Sequence, residues 1–504
     1  MAMGKFSIQQ ITEEQANEFG VSSADYAVLT KVLGKTPDLT ALMLYSLIWT
    51  DELTENDVDM LEAALSSNGE IGKFIHLGKG KVFYAKAIKE KSKASFTIND
   101  QVALAVVRAG LNHKDWLTAF LKENQPENGK IDLNRTQESD PFQAFFVFGS
   151  GHVPENEINK VIADAGTTRP YSLLEEARYE QQTSIESVPY PDTLKEVSLA
   201  ILSSPKIADS NYLFAKGKAP LKLEESPLLL ALSANSNYRS SDGSHEVSVL
   251  LADAARNLAC RGAYPIAINC ALQFNDENGN TDAEYIVGVT EGIKKFGEVF
   301  NLPVTSALID FKANESRPTT AFGLAGVKGK KSLAPGFKNK GDLIFIVGKT
   351  KEDIDGSVYL SEFHNKETDS APYFDFKSEL VTHNVVRSLI DKELISAAES
   401  CSVGGLFMAL TKMALPQELG FDIVTDAEIR EDAYLFGESA GRVVVSVNEE
   451  VEDEFIEFMM QSGVSYTLLG HVTQGKMMVD DEHFGFIQGA KEIYNQAVHK
   501  SLTK

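Results

Sequence analysis

The chain has 504 residues, 43% hydrophobic and 24% charged, with a formal net charge of −24. That length exceeds one hydrophobic core and predicts about three domains. The acidic balance excludes nucleic acid, whose phosphates reward clustered Lys and Arg, but it leaves room for a small phosphorylated ligand held by a local cluster of amides.

In chain order, apolar residues at three- and four-residue steps predict helices over Glu13–Phe19, Tyr26–Leu33 and Leu39–Trp49, then an acidic amphipathic helix over Asp51–Leu65. Val82–Ala85, Phe96–Ile98 and Phe142–Phe148 read as strands, and Gln101–Ala109 as a helix ended by Gly110. Residues 122–140 are polar and read as a loop, and 150–190 as helices with a polar link. Thr193–Leu202 follows as a helix. The most regular stretch alternates strand Pro227–Ser233, helix Val247–Cys260, strand Ala263–Leu272, helix Glu284–Phe300, and strands Val304–Phe311 and Thr320–Val327. Beyond it come strand Leu343–Val347, helices Asn384–Ile390 and Gly405–Met413, strand Arg442–Val447 and helix Glu450–Gly463. The alternation predicts an α+β fold with α/β-type layers.

Cys260, Cys270 and Cys401 lack CxxC spacing, so neither a disulfide framework nor a zinc site is expected. Cys260 and Cys270 lie in apolar stretches and read as buried free thiols. A reducing cytoplasm is the expected compartment. No apolar run of about 18 residues predicts a membrane span, and the N-terminus has no apolar region of a secretory leader.

Five stretches, in order, carry a resemblance: Leu250–Phe274, the segment LAGVKGKKSLAPGFKNKGDLIFIVG ending at Gly348, Asp355–Phe363, Ala397–Leu415 and Leu435–Val447. They resemble the second half of small-type PurL phosphoribosylformylglycinamidine synthases and, more distantly, the PurM or AIR synthetase superfamily. Ile201–Lys216 is similar to the helix linking the two PurL halves, and Lys35–Asp57 to the N-terminal linker ending in W-S-E-H-C. The resemblance implies a helical linker-like domain over 1–65 and a degenerate first-half A-type domain over 66–190. PurM-like A and B domains follow over 191–335 and 336–504. It also implies that the first-half B domain is largely missing.

The family reaction uses ATP, magnesium and ammonia. Against the family pattern, Glu52 stands where a histidine is expected, so no catalytic residue is assigned. Lys89–Gly110, the stretch equivalent to the family's glycine-rich phosphate segment, has no histidine and one glycine. In the second half the resemblance implies an auxiliary magnesium–nucleotide site. Its acidic residue and asparagine correspond to Asp253 and Asn257, which i,i+4 spacing puts on one helix face. The rest of that site is altered. Glu246-Val247-Ser248 replaces a G-G-K, and Ser400-Cys401-Ser402-Val403-Gly404-Gly405 replaces D-C-S-D-G-G without its carboxylates. Asp253, Asn257, Gly404 and Gly405 are therefore the expected remnants of an ATP or ADP site, with Asp253 and Asn257 its metal pair.

The leading expectation is a catalytically degenerate PurL-like protein, structural, regulatory or metabolite-binding. The alternative is an active ATP-dependent C–N ligase with a remodelled site. Expected partners are a second copy in a homodimer or PurL, PurS and PurQ-like subunits of a purine complex. A phosphate-bearing ligand fits, and nucleic acid and membrane do not.

Overall fold

The computed structural model describes residues 183–204, 228–234, 243–275, 281–312 and 319–503 almost throughout. Before these it describes a short N-terminal helix, a few isolated positions, and strands between 74 and 153. Glu52 and the expected helices from Tyr26 to Leu65 lie outside the described residues, apart from single positions.

The helix Glu13–Glu18 (α1) precedes strands Phe74–Gly78 (β1), Gly80–Lys89 (β2), Ser95–Thr97 (β3), Val102–Arg108 (β4), Lys130–Asp132 (β5) and Gln143–Val153 (β6). The segment 101–109, expected as a helix, is strand β4, which pairs antiparallel with β6. Val102, Val106 and Val107 explain the correction, since β-branched side chains fit a pleated surface better than a helical turn. The sheet order is β1-β2-β6-β4.

Helix Leu194–Ser203 (α2) is capped by Thr193, whose side chain accepts from the Glu196 amide. Next come strand Leu228–Ala234 (β7), helix Gly243–Ala259 (α3), strand Ala263–Asn275 (β8), helix Thr281–Phe300 (α4), and strands Val304–Lys312 (β9) and Thr319–Lys328 (β10). Their sheet has the order β7-β10-β8-β9. β8 and β9 run parallel and are joined through α4, while β10 pairs antiparallel with both β7 and β8. The triplet β2-β6-β4 repeats the order and antiparallel sense of β7-β10-β8. The two sheets pack together, β2 against β8 and β9, and β4 against β7 and β10.

The third unit has strand Leu343–Val347 (β11), a π-helical turn at Tyr359–Phe363, helix Phe376–Asp391 (α5), strand Ala397–Ser400 (β12), helix Gly405–Ala414 (α6), strand Gly420–Ile423 (β13) and helix Glu431–Phe436 (α7). Strand Val443–Val447 (β14), helix Glu452–Ser462 (α8), strands Tyr466–Thr473 (β15), Lys476–Val479 (β16) and Glu482–Phe486 (β17), and helix Ile487–Thr503 (α9) complete it. Its seven strands run β12-β14-β11-β15-β13-β16-β17. Both faces are covered: Ile344, Ile346 and Val444 enter one core, while Phe345, Val347, Val443 and Val445 enter the other, the period of two expected for a strand.

The segment from Ile185 through α2 to Ile207 belongs to the first of these cores. Arg430 clamps it by donating to the carbonyls of Ile185 and Val188, and the Thr183 amide donates to Asp355. Phe374, Phe376 and Leu380 from the third unit join the core of α3 and α4, forming a seam between the two units.

Candidate functional site

Of the expected site residues, Asp253 lies at this seam. Asp253, Arg256 and Asn257 all project from α3, whose apolar residues Val247, Leu250, Leu251, Ala254 and Leu258 fix the helix against its sheet. Arg256 is 2% exposed and pairs through Nη1 with Glu379 of α5. Its Nε donates to the Ser400 hydroxyl at 2.8 Å, and its Nη2 to Asp253 Oδ1 at 3.3 Å. The Ser400 hydroxyl also donates to Asp253 Oδ1, at 3.3 Å. Ser400 stands where the resemblance expects a carboxylate, and its neutral hydroxyl bridges Arg256 and Asp253. Burial pushes the Asp253 carboxyl up, against the pull of Arg256 and Lys412.

Glu379 and His383 were not expected at the site. They sit one turn apart on α5 with Glu379 Oε2 and His383 Nε2 at 2.9 Å, both fully buried. Burial favours a neutral Glu379, yet Arg256 and the His383 hydrogen bond outweigh it and bring the carboxyl to about 2. Burial brings His383 down to about 4, so near neutrality the imidazole beside Glu379 is neutral. The available signal was the i,i+4 acid–histidine pair in Glu379-Leu-Val-Thr-His383, within a helix expected only from Asn384 onward.

From Ser400 the chain enters the loop leading into α6. Gly404 has φ +85° and Gly405 φ +66°, so both take the left-handed conformation that a side chain would strain. A Cβ on Gly405 would lie 2.6 Å from the Gly437 carbonyl oxygen. The amides of both glycines are engaged within the chain: Gly404 donates to Glu438 Oε1 at 2.9 Å and Gly405 to the Ser402 carbonyl at 2.8 Å. Glu438 Oε1 also accepts from the Val358 amide. Arg442, fully buried, donates to the carbonyls of Ser439 and Gly437. Glu438 and Arg442 thus each meet backbone groups, with no ion pair between them.

Glu246 lies in the first turn of α3, buried, accepting from Tyr285 at 2.9 Å and Thr320 at 3.0 Å. Burial pushes its carboxyl up to about 8 despite both hydroxyls. The stretch that replaces the family's G-G-K thus begins with an acid that is largely protonated at pH 7, and Ser248 stands where its lysine is expected. All three cysteines are free and buried, as expected for Cys260 and Cys270, and burial also raises the Cys401 thiol.

Magnesium needs oxygen ligands free to face it. Asp253 Oδ1 already faces a guanidinium and a hydroxyl. A dication there would be repelled by Arg256. Among the described residues no group of three or more His, Cys, Asp or Glu is arranged to hold a metal ion. The side chains present fit magnesium poorly. Among the described residues no helix is long and apolar enough to cross a membrane.

Residues 229–327 match the AIR synthase related protein N-terminal domain, and residues 339–480 its C-terminal domain. The chain is 30% identical over 323 residues to phosphoribosylformylglycinamidine synthase subunit PurL of Moorella thermoacetica, covering 59% of this chain and 44% of that one. It is 28% identical over 357 residues to the PurL subunit of Methanocaldococcus jannaschii, covering 64% and 49%. The chain therefore spans about half the length of the curated relatives it matches. A structure of T. maritima PurL complexed with FGAR aligns with TM-score 0.49 and 14% identity, over 60% of this chain and 54% of that one. Another, with AMPPCP, aligns with TM-score 0.44 and 15% identity, over 59% and 51%. With both domains matched in order and PurL relatives aligned across them, the chain carries the two AIR synthase related domains over 229–327 and 339–480 and is a PurM-like, PurL-related protein.

Proposed function

We propose that this is a PurL-related protein of purine metabolism that keeps the scaffold but not the synthase chemistry, serving as a structural, regulatory or metabolite-binding homologue. One observation carries the reading: the second-half site is closed on itself. Asp253 is engaged by Arg256 and Ser400, and the Gly404 amide by Glu438. A working phosphate site needs such groups turned toward the ligand before it arrives. On this reading Asp253, Asn257, Gly404 and Gly405 are remnants of a magnesium–nucleotide site, and residues 66–190 a stripped first-half A-type domain. The repeated strand order β2-β6-β4 and β7-β10-β8 supports that assignment. Internal packing of the two sheets favours a chain that fills its own pairing surface over a homodimer. The relatives' designation as a synthase subunit supports association with further subunits, which on this reading are PurQ- or PurS-like and cytoplasmic.

The test is full-length protein with formylglycinamide ribonucleotide, ATP, magnesium and ammonia. No ADP release above background is expected. Turnover at an enzyme-like rate, abolished by Asp253→Asn, sinks the degenerate reading in favour of an active ATP-dependent ligase.

A further inference from the structure

The seven-stranded sheet ends differently at its two edges. At one, β12 is closed by α3 and the residue after it: Arg261 donates to the Ala398 carbonyl at 2.6 Å, and Arg256 Nε to the Ser400 hydroxyl at 2.8 Å. At the other, β17 pairs with β16, and among the described residues no strand lies along its outer side. Glu482, His483 and Phe486 are exposed there, Phe486 by 53%. An open edge presents a row of backbone N–H and C=O groups ready to pair with another chain.

The register explains why Phe486 reaches water. Met478 pairs with His483 and Met477 with Gly485, so Phe484 is an extra residue that shifts the alternation of β17. Phe484 enters the core on one face, while His483 and Phe486 both turn to the other, with ring centroids 5.1 Å apart. Through the pairs Met478–Asp422, Asp422–His471 and His471–Leu343, this is the face that α5 and α8 cover over β11, β12 and β14. No described residue of β13, β16 or β17 belongs to that core. The end of the edge beside the β16–β17 turn is acidic. Asp481 and Glu482 are exposed there, and Asp480 accepts from the amide and hydroxyl of Thr425. Burial, then the carboxylates of Glu431, Asp432 and Glu482, push the Tyr190 phenol up, so the negative field reaches that ring. Arg430, the cation there, is already paired with Asp432.

We propose that the outer edge of β17 docks a partner protein by strand addition, taking an extended basic segment with Lys or Arg at the Asp481–Glu482 corner and an apolar residue over Phe486. Backbone pairing supplies the hold in this mode, and the flanking side chains supply the choice of partner. The acids set that choice. They favour a basic strand and oppose a second copy, which offers the same acids in place of basic groups. The proposal goes beyond the degenerate reading and does not rest on it, because an active synthase could carry the same edge.

The experiment uses the full chain and three short labelled peptides: alternating lysine and valine, alternating glutamate and valine, and the lysine peptide with N-methylated backbone amides. Affinity is read by fluorescence anisotropy. Because the whole chain carries −24, binding is located by hydrogen exchange. The lysine peptide is expected to bind, to weaken with salt, and to protect amides within 482–486. The glutamate and N-methylated peptides are expected not to bind. Asp481→Asn with Glu482→Lys, both at exposed positions and with Asn keeping the left-handed backbone of Asp481 at φ +66°, should lose the lysine peptide and gain the glutamate one. Phe486→Ser should weaken the lysine peptide about tenfold and leave the charge preference intact. Absence of lysine-peptide binding overturns the proposal, as does binding without protection of 482–486, binding unchanged by the charge reversal, or equal binding of the N-methylated peptide. A dimer in light scattering that Phe486→Ser dissociates overturns it in favour of a second copy. ADP release in the synthase assay sinks the degenerate reading and leaves this edge untouched.

Discussion

In the unit spanning residues 229–327 the deepest acid, Glu246, is held by two hydroxyls. In the unit spanning 339–480, Glu379 is held by a guanidinium and an imidazole, Asp432 by Arg430 and Tyr359, and Glu438 by backbone amides. The difference lies in what each environment does to charge. Hydroxyls do not repay the desolvation of Glu246, so it keeps its proton, whereas the cation beside Glu379 keeps that carboxylate ionised. The first unit thus buries Glu246 neutral, while Glu379 of the second is buried ionised against a guanidinium that the first unit supplies. Pairing raises what is lost when one partner is removed.

The strongest break in that contrast is Arg256→Met. It leaves Glu379 buried without its cation and is expected to destabilise the chain by about 3–5 kcal/mol in urea unfolding. Adding Glu379→Leu should recover much of the loss. If the single variant costs under about 1 kcal/mol, the buried pair is not what joins the units.

Glu246→Gln sharpens the contrast through pH. The Glu246 carboxyl stands at about 8 against an ordinary 4.5. Its contribution is fully present below the ordinary value and is lost as pH rises through about 8. His383 and Glu379 are both held below their ordinary values, so their contribution is present above those values and lost on acidification. Glu246→Gln should therefore flatten the alkaline side of the stability–pH curve, gaining roughly 3 kcal/mol at pH 7–8, and leave the acid side unchanged. An unchanged alkaline limb would show that Glu246 is ionised in the native state.

Smaller effects follow in the second unit. Tyr359→Phe removes the 2.6 Å hydrogen bond to Asp432, which keeps Arg430 as a partner. The expected cost is about 1.5 kcal/mol, read by the urea midpoint. Arg430→Ala should cost about 1 kcal/mol, because its ion pair with Asp432 is partly solvent-exposed. Its clearer signature is faster proteolytic nicking within 183–193, since the clamp on Ile185 and Val188 is lost. Protection equal to the parent chain would show that α2 packing alone holds the segment.

Where periodicity and burial agree, the fold was legible in the sequence. Leu343–Val347 forms the strand expected of it, and the helix read as Val247–Cys260 is Gly243–Ala259. Residues 101–109 misled because Ala and Leu satisfy a helical pattern while the valines favour a strand. The first half of α5 was missed although Asp375 caps it by accepting from the Ser378 amide at 2.7 Å. Strand β12 was hidden inside the stretch Ala397–Leu415, where apolar and small residues run on without a break. The site was legible only in part. Spacing placed Asp253 and Asn257 on one helix, but of the partners that define Asp253 the Ser400 hydroxyl comes from strand β12 and the guanidinium of Arg256 from the same helix. Arg256 was overlooked because an arginine in a helix reads as a solvated face, and only the docking of α5 and β12 buries it.

The docked segment 183–207 also constrains how the chain assembles. Thr183 meets Asp355 across 172 positions, and the Arg430 clamp reaches Val188 across 242. The whole unit 229–327 is synthesised between the strap and the surface it covers. A chain emerging from the ribosome must hold Ile185, Val197 and Ile201 in water, or against some other surface, until the last third of the protein is made. Closing so long a loop is slow. Folding of the central unit shortens the loop in advance by bringing its two ends to one body. The middle of the sequence thus serves as the template on which its two flanks meet.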